Sequence, residues 1–171
     1  MFSIPRPEYQ LPDALIEVST KEVHEATVQK IDKNDYPKIR KARGWRFTWI
    51  EEVKNQEREV YKLAIAGGEI QGLISIKKSE GFYEMHLVET APQNYGRNKK
   101  YSGVLLALVA FVCKKSFEAG FSGEVAFIAK SVLIEHYKLH LHARLIYPPN
   151  RMAIFFEDAY KLVSLYFKTT E

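Results

Sequence analysis

The middle of the chain has the clearest alternation of hydrophobic and polar residues. The alternation runs from Glu59 to Ala66 and stops at Gly67-Gly68, which is typical of a strand that ends at a hairpin turn. It resumes from Glu69 to Lys77 and again from Phe82 to Thr90. Three consecutive strands joined by short turns predict an antiparallel meander.

The pattern before the meander is weaker. The prolines Pro5, Pro7 and Pro12 predict an extended N-terminal arm, and short strands are predicted at Ala14–Ser19 and at Ala26–Ile31. Residues 36–55 stay unassigned, because helix formers at 36–43 precede aromatic residues whose spacing suits either a strand or a helix.

The second half of the chain predicts helices and strands in turn. A polar loop after Pro92 leads into a helix from about Ser102 to Ala119, whose first turns are so apolar that we expect it to be buried on most sides. The later predicted elements are a strand at Glu124–Ala129, a helix from Val132 to about Leu141 capped by Ser131, strands at Ala143–Tyr147 and Arg151–Phe156, and a terminal helix at Asp158–Phe167. This order predicts an α+β fold in which helices flank a central mixed, mostly antiparallel sheet, as a single domain over residues 1–171.

Composition narrows the range of functions. The 171 residues are 46% hydrophobic and 27% charged, as in an ordinary globular domain, and the net charge of +4 suits an anionic ligand without requiring nucleic acid. Cys113 is the only cysteine, so no intramolecular disulfide can form. Because no run of about 18 uncharged apolar residues occurs and a signal-peptide layout is missing, we expect a cytoplasmic protein without a membrane partner.

The polar loop before the buried helix has the chemistry of an anion site. Its residues are Arg97, Asn98, Lys99, Lys100, Tyr101, Ser102 and Gly103, with Val104 next in the helix. The first N–H groups of a helix lack intrahelical partners and attract phosphate, and a glycine lets the backbone approach it closely. The alternative is a solvated basic loop with a glycine at the start of a helix.

This strand–loop–helix arrangement resembles the pyrophosphate-binding element of the GNAT acetyltransferases, and the resemblance extends over residues 58–156. The family loop reads Gln/Arg-x-x-Gly-x-Gly/Ala; here Gly103 matches the first glycine, Lys100 keeps the positive charge, and Leu105 departs from the pattern. The resemblance implies acetyl-CoA as a co-substrate, without a metal. It also implies a site that includes Val88, Glu89 and the loop, with Val88 and Glu89 near the thioester carbonyl.

The same resemblance implies a catalytic acid. In the family, a tyrosine on the helix after the fifth strand protonates the departing thiolate, in a pattern similar to Asn-x-x-Ala-x-x-x-Tyr. Tyr137 matches that position, whereas Lys130 and Leu133 replace the Asn and the Ala. A phenol has a pKa of about 10, close to that of a thiol, and is therefore a suitable acid. The alternative is a structural tyrosine packed against the sheet.

The general base is predicted from position. Glu89 lies at the end of the strand before the loop, where the acetyl group sits in this family, and a carboxylate there could accept the amine proton. By strict alternation Glu84 and His86 lie on the other face. The alternative for Glu89 is an ordinary strand-end carboxylate paired with a lysine or arginine.

Two further groups are expected to be structural. His136 and His140 share a helix face at the spacing of zinc helices, but the motif glutamate and a third ligand are missing, so no metal site is expected. Trp45, Phe47 and Trp49 stand among basic residues and could form a nucleic-acid surface. We expect the tryptophans to close the core instead, with the basic residues in solvent, where they could favour an acidic acceptor.

The predicted function is N-acetyl transfer from acetyl-CoA to a primary amine by direct attack. The acceptor is an amine-bearing small molecule, a peptide or a protein, and a homodimer is among the assemblies left open. Two alternatives remain: a non-catalytic acyl-CoA-binding module on the same fold, and a basic nucleic-acid-binding protein. The substituted residues at Leu105 and Lys130 keep the first alternative open.

Overall fold

A computed structural model describes residues 8–65 and 68–167. Within those residues nine strands form one sheet, in the order β6–β1–β2–β3–β4–β5–β7–β9–β8. The strands are β1 Glu8–Glu17, β2 Val23–Lys30, β3 Glu59–Ile65, β4 Ile70–Lys78, β5 Tyr83–Thr90, β6 Tyr101–Ser102, β7 Val125–Ile128, β8 Arg144–Tyr147 and β9 Arg151–Ile154. The predicted meander is β3–β4–β5 and is confirmed.

Four α-helices pack with this sheet in the described part of the chain. They are α1 Trp49–Lys54, α2 Val104–Glu118, α3 Ile134–Leu141 and α4 Phe156–Tyr166. The α+β class and the mostly antiparallel sheet are therefore confirmed. No helix in residues 8–65 and 68–167 has the length and hydrophobicity needed to cross a bilayer.

Several predicted boundaries were wrong. β1 begins at Glu8 and includes Pro12, which lies where the pairing with β2 is interrupted between Leu11 and Leu15. Ser131 makes no capping hydrogen bond; it begins a short 3-10 turn, and α3 begins at Ile134. Pro5, Pro7, Ala66 and Gly67 lie outside the described residues.

The unassigned region between β2 and β3 contains little regular structure. Two 3-10 turns, Lys33–Lys38 and Lys41–Arg43, precede the short helix α1. Trp45 and Trp49 are 5% and 0% exposed, and they form a second hydrophobic core with Leu73 on the face of the sheet opposite α2. The expectation that the tryptophans close a core is confirmed.

Strands β5 and β7 form the one parallel pair among the strands described. Their pairing joins Tyr83 with Val125, Glu84 with Ala126 and Met85 with Phe127, and it stops there. β5 nevertheless continues to Thr90, paired with β4 on its other side. The sheet therefore opens between β5 and β7 beyond Met85.

Helix α2 packs directly on β4 at Gly72. A Cβ at this glycine would lie 2.6 Å from Val104 Cγ1 and 3.0 Å from Leu108 Cδ1, closer than carbon atoms approach one another. The absence of a side chain at Gly72 thus sets the distance between α2 and the sheet, and with it the position of the loop that precedes α2.

We expect Gly72→Ala to lower the free energy of unfolding by about 1–3 kcal/mol, because the added methyl group overpacks this contact. Urea denaturation measures the change. Val104→Ala removes the nearest atoms, so the double variant should lose less stability than the sum of the two single changes. Additive losses would contradict the proposed contact.

Candidate active site

A cavity of about 600 Å³ occupies the opening between β5 and β7. Its walls come from both faces of the sheet. Residues packed with the α2 core include Leu105, Leu133 and Tyr137, whereas Phe47 and Leu87 belong with the second core. The cavity therefore reaches through the sheet, so that two ligands could meet in the gap from opposite faces.

A β-bulge in β5 changes which side chains face which core. Leu87 pairs with Ser75 and Met85 with Ile76, so His86 is an extra residue on β5. Met85 lies in the core with α2, whereas Leu87 packs with the second core. The strict alternation assumed in the sequence analysis for Glu84, His86 and Glu89 was therefore wrong, because the inserted residue places Glu89 on the face opposite Met85.

The bulge also fixes the direction of the Val88 amide. The Ala91 N–H donates to the Gln71 carbonyl of the β4 side at 2.8 Å. Backbone groups alternate along a strand, so the N–H of Glu89 faces β4 and that of Val88 faces away from it. Val88 lines the cavity, and its N–H points toward the gap. The predicted interaction of this strand with a thioester carbonyl is stereochemically feasible and stays a prediction.

Glu89 lines the cavity, but the residue is only 6% exposed and its carboxylate accepts four hydrogen bonds. Oε2 accepts from the Arg46 N–H at 2.8 Å and from the Tyr95 hydroxyl. Oε1 accepts from the Phe47 N–H at 3.2 Å and from Trp49 Nε1–H at 2.8 Å. A carboxylate offers about four lone-pair positions, and these donors engage them all.

This geometry weighs against the general-base role predicted for Glu89, because a base needs a lone pair that faces the proton it accepts. The other alternative, a pair with a lysine or arginine side chain, is not present either, since the donors are two backbone amides, an indole and a phenol. Instead, the carboxylate fixes the segment from Arg46 to Trp49 against the end of β5.

We expect Glu89→Ala to lower the free energy of unfolding by about 3 kcal/mol, because it leaves buried donors without an acceptor. Urea denaturation followed by fluorescence reports on it directly, since the chain has only two tryptophans and both adjoin this site. Glu84→Gln on the same strand is the matched control; Glu84 pairs with Arg151 at 3.0 Å in a partly exposed position and should cost less than about 1 kcal/mol. Equal losses would contradict the anchoring role.

The predicted phosphate loop lies beside the cavity. Arg97, Asn98, Lys99 and Lys100 are exposed, and Tyr101 and Ser102 form β6, which pairs with Ile16 and Glu17 of β1. None of the residues from Arg97 to Val104 lines the cavity, although Gly96 and Leu105 on either side of them do. The loop therefore borders the cavity where α2 begins, and its role in binding phosphate stays a prediction.

The structure gives a reason for a glycine at position 103 that differs from the predicted one. Its φ is +96°, a left-handed conformation that favours glycine, and a Cβ would lie 2.9 Å from the Ala14 carbonyl oxygen. The glycine therefore lets the loop turn into α2 against β1. The close approach of Gly103 to a phosphate stays a prediction.

Asn94 organises the start of this loop and was missed by the sequence analysis. It is 6% exposed; its Nδ2 donates to Gln71 Oε1 at 2.9 Å, and its Oδ1 accepts from the Tyr101 N–H at 2.9 Å. One amide side chain therefore ties β4 to β6 across the loop. The only local signal was an asparagine soon after a proline, which is common in turns.

Tyr137 lies on α3 in the wall of the cavity. Its side chain is packed edge-on against Phe127, with ring centroids 5.2 Å apart, and burial raises the pKa of the phenol. No atom of residues 8–65 and 68–167 hydrogen-bonds to its hydroxyl. A protonated phenol without a partner, facing the gap, suits the predicted acid.

Two clusters of side chains that contain histidine are relevant to metal binding. The rings of His136 and His140 lie 4.4 Å apart, and burial together with the charges of His140 and Lys99 lowers the pKa of His136. The described residues bring one set of three potential ligands together, Glu17, Glu22 and His24, whose donor atoms lie within 4.8 Å of one another. This set is in the β1–β2 hairpin and does not line the cavity.

No protein-family model matches this sequence, and no curated protein sequence matches it. Solved structures do. A mutant form of the spermidine/spermine N-acetyltransferase SpeG from Vibrio cholerae superposes with a TM-score of 0.55 at 10% identity, over 80% of this chain and 98% of that one. A chimera of Vibrio cholerae SpeG and hSSAT gives 0.56 at 11% identity over the same shares. SpeG in complex with manganese ions gives 0.53 at 9% identity, over 80% and 95%.

The chain has the GNAT fold. The superpositions cover most of both chains, and the strand, loop and buried helix formed by β5, the following loop and α2 agree with the arrangement in which the resemblance was stated. At about 10% identity the likeness defines the fold, while the activity depends on the residues of the cavity itself.

Proposed function

We propose that this protein is an acyl-CoA-dependent N-acetyltransferase that transfers the acetyl group of acetyl-CoA to a primary amine by direct attack. The observation that supports it most is the gap between β5 and β7, where Val88 and Tyr137 both line one cavity whose walls come from both faces of the sheet. A thioester and an amine could enter from opposite faces and meet there.

The cavity and the loop beside it both have roles in this proposal. The diphosphate binds at the N-terminus of α2 and to Arg97, Lys99 and Lys100, because helix amides and cations both favour anions. The Val88 N–H donates to the thioester carbonyl and stabilises the charge that develops on its oxygen. The amine nitrogen attacks the carbonyl carbon, the C–S bond breaks, and Tyr137 gives its proton to the departing sulfur.

The attacking nitrogen loses its extra proton to solvent, and the Tyr137 phenolate takes one proton from solvent, which restores the phenol for the next turnover. We assign Glu89 a positioning role in place of the general base, since its four hydrogen bonds hold the backbone of Arg46 and Phe47 beside the gap. The amine then binds against a wall that does not move as the reaction proceeds, which lowers the entropic cost of bringing the two substrates together.

A non-catalytic acyl-CoA-binding module is the second candidate. The observation that favours it is Leu105, which lines the cavity at the position where the family loop has a second small residue. A leucine side chain takes up more of the cavity than the glycine or alanine of the family pattern would. Lys130, in place of the family asparagine, also lines the cavity and changes its charge.

Acetyl-CoA binding can be tested by thermal denaturation. At a hundredfold excess over its dissociation constant, a ligand of the native state adds about 2.7 kcal/mol, which raises the Tm of a domain of this size by several degrees. Lys99→Gln with Lys100→Gln should reduce the shift, whereas Arg40→Gln with Lys41→Gln removes the same charge elsewhere and should not. An unchanged Tm at saturating acetyl-CoA would exclude both candidate functions.

Catalysis can be tested with Tyr137→Phe. We expect thiol release with a responsive amine to fall by about 10²-fold or more, because the thiolate then leaves without a positioned acid. The Tm shift with acetyl-CoA should persist, which separates loss of chemistry from loss of binding. Tyr147→Phe, at a side chain that is 71% exposed, is the matched control. An undiminished rate in Tyr137→Phe would remove Tyr137 from the mechanism.

A further inference from the structure

Two cationic side chains, Arg46 and Lys130, line the cavity close to aromatic rings. Both residues are exposed. The Arg46 guanidinium lies over the Tyr95 ring, 4.3 Å from its centroid, and Lys130 Nζ lies 5.7 Å from the centroid of Phe47. Since Phe47 follows Arg46 in the chain, the two charges flank the same short stretch of the wall.

Neither cation is neutralised by a neighbouring carboxylate. Within residues 8–65 and 68–167, no ion pair involves Arg46 or Lys130. Glu89 is the one carboxylate in the lining, and its oxygens are already occupied by four donors. Nearby Glu52 is engaged by Arg58 at 2.7 Å and by the Ser75 hydroxyl at 2.7 Å.

The cavity therefore has two permanent positive charges and one negative charge that is enclosed. A low-dielectric cleft strengthens the potential of such an arrangement, which attracts anions and repels cations. The contact with the Tyr95 ring keeps the Arg46 guanidinium beside the cavity, and a guanidinium fork matches the two oxygens of a carboxylate or a phosphate.

We infer that the acceptor is an amine that also has an anionic oxygen group, a carboxylate or a phosphate, which Arg46 and Lys130 bind while the amine reaches the gap. This inference rests on the proposed function, because it names the acceptor of that reaction. It separates this chain from the SpeG structures that share its fold, which are spermidine N-acetyltransferases. Spermidine has several positive charges and would meet Arg46 and Lys130 with repulsion.

The charge preference can be measured without any chemistry. The protein is saturated with CoA and titrated in a calorimeter with the N-acetyl derivatives of five amines. The first pair is β-alanine and β-alaninamide, the second pair is phosphoethanolamine and ethanolamine, and the fifth amine is spermidine. Each of the first two pairs differs in one anionic group, and comparing them separates carboxylate from phosphate. We expect the preferred anionic product to bind about tenfold more tightly than its neutral partner, the factor that one charge-assisted hydrogen bond supplies, and acetylspermidine to bind more weakly than either.

The variant Arg46→Gln with Lys130→Gln should abolish this preference, because its side chains keep the polar contacts but lose the charges. The backbone N–H of Arg46 still donates to Glu89, so the wall should keep its position. The matched control is Arg40→Gln with Lys41→Gln, which removes the same total charge from exposed positions outside the cavity lining and should keep the preference.

The outcomes separate this inference from the proposed function. Equal affinity within both pairs, no binding by any product, tighter binding of acetylspermidine, or a preference that survives in the Arg46→Gln, Lys130→Gln variant would each overturn the inference. Thiol release with the five free amines tests the reaction separately. Selective binding without turnover would support an anionic ligand but reject the proposed transferase activity. Turnover of the amines without a preference for anionic products would support the transferase activity but reject the anionic acceptor.

Discussion

The parallel pairing of β5 with β7 stops after Met85, and the cavity depends on that interruption. A sheet satisfies its backbone N–H and C=O groups through neighbouring strands, so a strand that continues without a neighbour presents free donors and acceptors. The bulge at His86 turns the Val88 N–H into this space. The gap thus combines an open volume with a backbone donor that already points into it.

The walls of this gap on the two faces of the sheet are built from different kinds of structure. Helices α2 and α3 supply one wall, with Tyr137 at its surface, and they are held by a large apolar core. The other wall is the irregular segment that includes Arg46 and Phe47, which has little regular structure and is fixed by the buried carboxylate of Glu89. The rigid wall suits a constant co-substrate, and the irregular wall is the part where a different sequence would give a different acceptor.

The sequence predicted the elements whose signals are local. Alternation identified β3, β4 and β5, and the apolar run identified α2. The bulge at His86 was not predictable, because it depends on the pairing between β4 and β5. The local residue pattern of β5 does not indicate an inserted residue. The surroundings of Glu89 were missed for a similar reason, since Trp49 and its neighbours lie about 40 residues away in the chain. Tyr137 could be singled out because it stands in a recognisable pattern.

The short pairing of β6 with β1 links the loop before α2 to the first strand of the described chain. Val18 donates to the Lys100 carbonyl at 2.9 Å, and Ile16 and Glu17 pair with Ser102 and Tyr101. More than 80 residues separate these partners, so forming this pairing costs the entropy of closing a long loop. The turn into α2 is bonded to β1 as well as packed on β4, so a change in the first strand would shift the helix terminus that is proposed to bind phosphate.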